Sequence, residues 1–415
     1  MKNTILYTLI ILVGFSACKK DRQTKFDIEK SFPDPAVKFE DFKKAIATGT
    51  EGFKMTVEPV KGGLYGAYIK FDGSSAATFV GDNNPVNAGT PKSTKYSLII
   101  SQTNSTLSFE KVGNFAAFAN SVGADTSYTY KESVGDTLKL IGNASGAKMN
   151  LIKVAKKDAD EYLAGKMVVP ITAVNALKTF KKYFKRLTVG GKSYDLIFDD
   201  IKRRLTINYA LAGKFATFST LYSFSNNGVD LKSALTDGAI KINALNDLVL
   251  NSASSSLSTT VNALPGIISN EIAPVAVDKA AAESFLSVPD KQWGSTTGFT
   301  KDGVVDYLDV RSITGFARLI HWVGYDADYD LIGFVFGNSI RYGPAVVPHI
   351  GTDGVMVFEF LGVLGTLPTV NPDRAKVVTT INNFIDAKGY YVVRTGLSSF
   401  DLVAVNGGNL WINYQ

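Results

Sequence analysis

Three carboxylates at alternate positions could do chemistry together: Asp326, Asp328 and Asp330. Carboxylate oxygens are ligands that calcium prefers, and three on one short segment can converge on a single cation. A calcium loop of the EF-hand type needs Gly at its sixth position and Glu at its twelfth, where this segment has Leu331 and Gly337. The pattern therefore predicts either a calcium site of another kind or a solvated hairpin tip, since acidic residues are common in turns.

The spaced motifs of common enzymes are absent from the sequence. It contains no Gly-x-Ser-x-Gly elbow, no His-Glu-x-x-His zinc motif and no Gly-x-Gly-x-x-Gly loop. His321 or His349 could act as a general base, but no serine is placed by sequence to partner either, so a structural or surface role is the alternative. Paired carboxylates for glycoside hydrolysis are a spatial feature, and the sequence singles out no pair. We therefore lean against an enzyme, and we predict no cofactor other than the calcium considered above.

Basic residues are concentrated between Lys178 and Arg204, where nine of them face three acidic residues. Apolar residues in steps of three or four predict an amphipathic helix within residues 157–187. Four lysines would lie on the polar face of this helix: Lys178, Lys181, Lys182 and Lys185. Such a face could contact anionic lipid headgroups or an acidic ligand. The alternative is an ordinary solvated face over a core stripe.

Aromatic side chains near predicted turns could stack on sugar rings, although packing in a core is the alternative. Trp293, beside the polar run of residues 294–298, is the best candidate for exposure. Trp322 and Tyr325 are the other candidates for ligand contact.

The composition is that of a globular protein with more than one domain. The 415 residues suggest two or three domains, and 45% hydrophobic with 20% charged residues exclude wholesale disorder. The single cysteine excludes a disulfide scaffold and a cysteine zinc cluster. Because the chain has only two histidines, a multi-histidine metal centre is nearly excluded.

The N-terminal residues 1–17 are typical of a signal peptide, with Lys2 followed by an apolar run too short to span a membrane. The only cysteine, Cys18, follows Ser16 and Ala17 in the pattern of a bacterial lipobox. We expect its thiol to carry diacylglycerol and the mature chain to be further acylated, for instance with palmitate, so that a lipid anchor tethers it. The alternative is an ordinary secretory signal.

The residues after Cys18 favour the outer membrane, because Lys19 stands where an inner-membrane retention signal would have Asp. Surface lipoproteins often carry a short acidic cluster after this cysteine, and residues 19–22 contain one acidic residue, Asp21. On this basis the cell surface is favoured over the periplasmic face. Nucleic acid is not an expected partner in that compartment.

Turn signals about every ten residues predict antiparallel β-meanders, either sandwich or barrel-like. The expected fold class is mainly β with an α+β C-terminal part, its meander domains being joined by the basic amphipathic helix. We divide the chain into a signal peptide (1–17), a tether (18–36), an N-terminal β-meander domain (37–165), the basic helix with a second β-meander (166–260) and a C-terminal α+β domain (261–415).

Four pieces of the sequence together resemble a known family. They are the segment from Ser16 to Asp21, the meander of residues 62–71, the hairpin of residues 135–142 and the strand of residues 331–336. The chain resembles a Bacteroidota lipoprotein family catalogued as domain of unknown function 4302. The resemblance implies an extracytoplasmic lipoprotein, often encoded near starch-utilisation-type uptake systems, and it carries over no catalytic residues.

These observations favour a non-enzymatic outer-membrane lipoprotein that binds a nutrient, glycan or peptide, together with the proteins of an uptake complex. Two alternatives stay open at this point. One is an extracytoplasmic hydrolase whose carboxylates are scattered through the sequence. The other is a structural or adhesin subunit without a concave site.

Overall fold

The computed structural model describes residues 34–288 and 290–415. Within these ranges the strands form three antiparallel units that follow one another along the chain: two closed barrels of eight strands and one sheet of nine. The fold class predicted from the sequence, mainly β with antiparallel barrel-like meanders, is confirmed. No described helix is both long enough and apolar enough to cross a bilayer.

The first barrel closes where its first strand pairs with its last, Phe53 lying opposite Lys153. Alternate residues of β1 point inward, so that Phe53, Met55 and Val57 are buried. Its strands are β1 (Phe53–Glu58), β2 (Tyr65–Phe71), β3 (Ala76–Gly81), β4 (Lys92–Ser101), β5 (Asn104–Phe109), β6 (Ser127–Val134), β7 (Thr137–Gly142) and β8 (Lys148–Lys153).

Side chains from helices α1 (Pro35–Ala47) and α3 (Asn114–Val122) pack into the core of this barrel. Phe42 comes from α1, and Phe115 and Phe118 come from α3; all three are fully buried. The ring of Phe115 stacks on Phe109 of β5 at 3.7 Å between centroids. The helices of this region are α1 (Pro35–Ala47), α2 (Pro85–Gly89) and α3 (Asn114–Val122).

The second barrel begins at Phe184 and closes between its first and last strands, Leu187 lying opposite Ile268. Two helices, α4 (Lys156–Leu163) and α5 (Val168–Ala176), and a 3-10 turn (Leu177–Thr179) connect it to the first barrel. Its strands are β9 (Phe184–Val189), β10 (Lys192–Asp199), β11 (Arg204–Leu211), β12 (Lys214–Phe224), β13 (Gly228–Asp237), β14 (Ile240–Asn251), β15 (Ser256–Val261) and β16 (Leu264–Glu271).

The third unit is a sheet of nine strands, and backbone hydrogen bonds between Gly294 and Gln415 join its first strand to the residue that follows its last strand in the sequence. Its strands are β17 (Gln292–Ser295), β18 (Phe299–Lys301), β19 (Phe316–Trp322), β20 (Asp330–Phe336), β21 (Ser339–Ile350), β22 (Met356–Gly365), β23 (Tyr390–Gly396), β24 (Ser399–Ala404) and β25 (Leu410–Tyr414). It also contains α6 (Lys279–Leu286), α7 (Asp373–Phe384) and a 3-10 turn (Val310–Ser312).

The third unit repeats the arrangement of the first barrel. In each, one helix precedes the first strand (α1 and α6), and another lies inside the meander, α3 between β5 and β6 and α7 between β22 and β23. The inserted helices supply core aromatics in both cases, Phe384 of α7 packing 4.6 Å from Phe299.

Two predicted boundaries differ from the structure. The second barrel extends past residue 260 to Glu271, and the Ser-rich stretch of residues 251–260 ends inside β15, where Leu257 is buried. The predicted basic helix ends near Thr179, and Lys185 lies in a strand. The helical spacing was misleading because Phe184 and Leu187 are buried on opposite faces of β9, one against the third unit and one inside the barrel.

Candidate functional site

A cleft of about 650 Å³ lies between the outer face of the second barrel and the third unit. It is bordered by strands β9 to β12, the end of α5 with the 3-10 turn that follows it, strand β23 with Asp401 of β24, and the connection of residues 274–278 that joins the two units. A concave space of this size between two units is where ligands bind most often.

The floor of the cleft is the outer face of β11 and β12. Alternate residues of each strand point into it, because the residues between them face the barrel core. The floor residues are Arg204, Thr206, Asn208, Phe215, Thr217 and Ser219. Thr206 and Ser219 are directly opposite, with their hydroxyl oxygens 3.2 Å apart. The floor therefore offers hydroxyl and amide groups in register beside one aromatic ring.

The opposite wall is β23 together with the turn that follows it. Every residue from Tyr391 to Leu397 borders the space, including Val392, whose side chain belongs to the core of the third unit. Leu397 is 99% exposed. The cleft therefore borders β23 along most of its length.

Five basic residues line the cleft, and two of them have carboxylate partners. Lys178 pairs with Asp200, and Lys202 lies 3.9 Å from Asp199. The other three contact neutral groups: Lys185 Nζ donates to the carbonyl of Lys182, Arg204 Nη1 donates to Ser219 Oγ at 3.3 Å, and the Arg394 guanidinium lies over the Phe400 ring at 4.9 Å. Burial lowers the pKa of Lys185 to about 7.

The most deeply buried carboxylates of the cleft are already engaged. Asp401 accepts hydrogen bonds from Tyr183 Oη and Asn413 Nδ2, both at 2.7 Å. Burial raises the pKa of Asp401 to about 6 and that of Tyr183 well above its usual value.

Asp195 accepts from Arg186 Nε at 2.9 Å and from the Val275 amide at 2.6 Å. Burial raises the pKa of the Asp195 carboxyl, although Arg186 opposes the shift. Asp199 and Asp278 also line the cleft, so four carboxylates lie among its five basic residues and the cleft is mixed in charge.

The structure places only two of the four lysines predicted for an anionic contact at the cleft. Lys178 and Lys185 line the cleft, whereas Lys181 and Lys182 are not among its lining residues. Lys185 reaches it from β9, and its Nζ lies 5.8 Å from the Phe180 ring centre. The common helix face predicted for these lysines was wrong, but the concentration of basic residues did indicate part of the site.

Trp293 is buried, which contradicts the exposure predicted for it. It is 5% exposed, stacks on Phe285 at 5.5 Å between ring centroids, and donates its indole N–H to the Phe285 carbonyl at 2.9 Å. The polar residues that follow Trp293 do not indicate its exposure, because side chains alternate between the two faces of β17 and that of Trp293 points into the core. Trp322 and Tyr325 form an edge-to-face pair at 5.1 Å on the third unit, away from the cleft lining.

The three aspartates predicted as a calcium site do not converge. Asp330 is 6% exposed and accepts hydrogen bonds from His321 Nε2 and the Gly324 amide, both at 2.7 Å. Asp326 instead accepts from the backbone amide of Asp328 at 3.4 Å. Among the residues that the structure describes, no group of three His, Cys, Asp or Glu could hold a metal ion. The first residue of β20 faces the core, and this separates Asp330 from the other two.

The two histidines have structural partners. His321 is fully buried beside Phe285 and Phe358, so its contact with Asp330 is part of the core of the third unit. His349 is exposed and lies 2.9 Å from Glu359 across the β21–β22 hairpin. The predicted lipidation residue, Cys18, lies outside the described residues.

Sequence reasoning missed Arg394 and Asp401 as site residues. Both come from the β23–β24 hairpin, nearly two hundred residues after the basic run. Arg204 belonged to the basic run that was noticed, but the strand periodicity that places it on the floor was not applied.

Comparisons with known proteins give one informative result. A family model described as "Domain of unknown function (DUF4302)" matches residues 37–248, which include the first barrel and most of the second. No curated protein matches the chain.

Among solved structures, the chain aligns with a DNA polymerase III subunit beta sliding clamp from Bartonella birtlesii LL-WM9 and with a DNA polymerase III beta chain from Streptococcus pneumoniae TIGR4. The identities are 7% and 11%, and each alignment covers 91% of this chain and 97% of the other. The TM-scores of 0.15 and 0.13 are too low to establish a shared fold.

Proposed function

Because the chain belongs to the DUF4302 family, whose function is unknown, its role must be argued from its own residues, and we propose that it is a non-enzymatic ligand-binding lipoprotein of the outer membrane. In this proposal Cys18 carries the lipid anchor, and the body of the protein captures a nutrient, glycan or peptide, for an uptake complex. The cell surface is the proposed side of the membrane.

The observation that carries this proposal is the cleft between the second barrel and the third unit. Its space of about 650 Å³ is in the range of small-ligand sites. Its walls are largely apolar, its floor carries hydroxyl and amide groups, and three of its cations contact only neutral partners. A surface with these three properties can bury the apolar parts of a ligand and hold its polar groups in a fixed orientation.

Binding without turnover is favoured by the state of the cleft carboxylates. General acid–base hydrolysis would require two carboxyl groups free to reach a substrate. Asp195 and Asp401 each have both oxygens engaged by protein donors. The other two lining carboxylates, Asp199 and Asp278, accept hydrogen bonds from the backbone amides of Lys202 and Ala281. Incubating any ligand found with the protein, followed by product analysis, separates capture from hydrolysis.

Thermal unfolding with a ligand panel tests the capture proposal. The mature chain with Cys18→Ser would be melted with and without neutral polysaccharides, acidic polysaccharides and peptides. A ligand at a hundred times its Kd stabilises the folded state by about 2.7 kcal/mol, which shifts Tm by several degrees.

A matched pair of variants ties any shift to the cleft. Arg204→Gln should reduce the shift, whereas Lys241→Gln, which removes the same charge from an exposed position of β14 in the same barrel, should leave it unchanged. Shifts that are equal in both variants would place binding elsewhere. No shift with any class would favour a structural subunit.

The anchor is tested separately in the producing cell. Metabolic labelling with an alkyne analogue of palmitate should label the wild-type chain and not the Cys18→Ser variant. Protease accessibility on intact cells then distinguishes the cell surface from the periplasmic face. Labelling of both chains, or of neither, would contradict lipidation at Cys18.

A further inference from the structure

Phe215, on the floor of the cleft, is an aromatic residue without an aromatic partner in the part of the chain that the structure describes. It is partly buried in β12. The other four aromatic residues of the lining pack edge-to-face against neighbouring rings: Tyr183, Phe184, Phe198 and Tyr391. The Phe215 ring can therefore pack against a ligand without first leaving another ring.

An unpartnered polar pair lies beside this ring. Asn208 of β11 is directly opposite Thr217 of β12, and both line the cleft. Among the described residues neither side chain has a hydrogen-bond partner, unlike the next pair along, Thr206 and Ser219. Thr217 is two positions from Phe215 on the same strand face, and Asn208 is diagonal to Phe215, each at about 7 Å. The amide and the hydroxyl can each donate and accept a hydrogen bond.

The mixed charge of the cleft favours a ligand without net charge. Four carboxylates and five basic residues line the space. Lys202 lies 3.9 Å from Asp199, and Arg186 donates to Asp195, so part of this charge is already balanced within the protein. A polyanion would meet the carboxylates and a polycation would meet the basic residues, and like charges brought together weaken binding. The hydroxyl and amide groups of the floor can bind a neutral ligand without such repulsion.

The floor strand β11 offers side chains to a ligand and not backbone groups. It pairs with β10 from Arg204 to Tyr209 and with β12 from Arg204 to Leu211, so both of its edges are occupied from Arg204 to Tyr209. A peptide that binds by strand addition needs an unpaired strand edge. Recognition on this floor must therefore use the ring of Phe215 and the polar side chains beside it.

A sugar ring carries the two surfaces that this floor complements, a face of apolar C–H groups and an edge of hydroxyl groups. Resting on the proposed function, we propose that the ligand captured in the cleft is an uncharged oligosaccharide. One sugar ring stacks on Phe215, and its hydroxyl groups exchange hydrogen bonds with Asn208 and Thr217. The next sugar lies over Thr206 and Ser219, since about 13 Å of β12 separates Phe215 from Ser219.

Calorimetric titration of the mature Cys18→Ser chain tests this inference. The probes are the uncharged hexasaccharides maltohexaose, cellohexaose and xylohexaose, the charged hexagalacturonate, and an uncharged hexapeptide that alternates valine and serine. We expect at least one uncharged hexasaccharide to bind more tightly than both the uronate and the peptide. Tighter binding of the uronate would overturn the preference for a neutral ligand. Tighter binding of the peptide would overturn the assignment to a sugar.

Variants of the floor locate the bound sugar. Phe215→Leu keeps an apolar side chain but removes the ring, and it should raise the Kd about three- to tenfold, whereas Phe215→Trp should keep the Kd within about twofold. Thr217→Val removes one hydroxyl from an exposed position and should raise the Kd about fivefold. Thr188→Val, at an exposed position of β9 outside the lining, should not change it. Equal Kd values for Phe215→Leu and the wild type would overturn stacking on this ring.

Failure of this inference can be told from failure of the proposed function. If hexagalacturonate or the peptide binds with sensitivity to Phe215→Leu or Arg204→Gln while no uncharged hexasaccharide binds, the cleft is a capture site and the sugar inference is wrong. If none of these probes binds, both the inference and the capture proposal are overturned.

Discussion

The guanidinium of Arg203, in the turn between β10 and β11, lies 3.5 Å from Oδ2 of Asp82, which follows β3 of the first barrel. Its Nη2 also donates to the Asp82 carbonyl at 2.7 Å, and its Cζ lies 5.1 Å from the centre of the Tyr65 ring and 4.8 Å from the centre of the Phe224 ring. Both charged residues are buried. The pair therefore links the two barrels through a contact that water does not screen.

Arg203→Met should destabilise the chain by about 3–5 kcal/mol, because it leaves the Asp82 carboxylate buried without its cation. Urea unfolding followed by intrinsic fluorescence measures the loss. Lys241→Gln, an exposed change in the same barrel, should alter the free energy of unfolding by less than about 0.5 kcal/mol. Equal stability of Arg203→Met and the wild type would show that the pair does not hold the barrels together.

Gly66→Ala tests the same contact from the first barrel. A Cβ at residue 66 would lie 2.0 Å from the carbonyl oxygen of Phe224, so the barrels would have to separate or shift. We expect a loss of roughly 2 kcal/mol or more, measured by thermal unfolding. Gly89→Ala is the control, because its Cβ would meet its nearest neighbour, Val168, at an ordinary 3.7 Å. Similar Tm values for the two variants would contradict a tight interface.

The fold class could be predicted because period-two burial and turn residues recur along the chain, as in Phe53, Met55 and Val57. Closure of the barrels could not be predicted, since it depends on pairs such as Leu187 with Ile268 that are far apart in sequence. The helix extension to Leu187 was wrong because a strand buried on both faces mimics helical spacing. Only tertiary context, the third unit packed on Phe184, distinguishes the two cases.

Trp293→Ala should act on stability and not on ligand capture. Its ring stacks on Phe285, and its removal leaves a large cavity in the core of the third unit. The expected cost is about 3–5 kcal/mol in urea unfolding. A wild-type Kd for any cleft ligand, measured at a temperature where the variant is folded, would agree with this reading. A selective loss of binding with unchanged stability would restore the earlier hypothesis of an exposed stacking platform.

The charge of Lys185 predicts a dependence of stability on pH. Burial lowers its pKa to about 7 in the folded protein, against 10.5 for a free lysine. Between these values the unfolded chain binds more protons than the folded one, so the free energy of unfolding rises with pH. The rise is up to about 1 kcal/mol per pH unit and is absent in Lys185→Met. Urea unfolding at intervals from pH 7 to pH 9 measures both slopes, and parallel curves would contradict a depressed pKa.

Calcium should not stabilise the chain through the acidic segment of the third unit. Asp330→Asn should cost about 1–3 kcal/mol, because it alters a buried hydrogen bond to His321, whereas Asp328→Asn should change stability by less than about 0.5 kcal/mol. Both variants and the wild type should give the same Tm with millimolar calcium or with a chelator. A calcium-dependent Tm that disappears in Asp328→Asn would reinstate the metal site.

The candidate site was only partly predictable, because it also depends on contacts between residues that are far apart in the sequence. A local excess of basic residues is visible in one stretch of sequence, and it indicated Lys178 and Lys185. The cleft itself is formed by two units that meet in space, so Arg394 and Asp401 carry no local signal.

Closure of the second barrel has a consequence for how the chain is made. The barrel is complete only when β16, ending at Glu271, pairs with β9, which starts at Phe184. During synthesis one edge of β9 therefore stays unprotected while β10 to β15 emerge, and exposed strand edges invite aggregation. Pairing between the ends of such a long segment also slows folding. A fragment that stops at residue 248 would lack β15 and β16, and we expect it to associate with itself instead of folding.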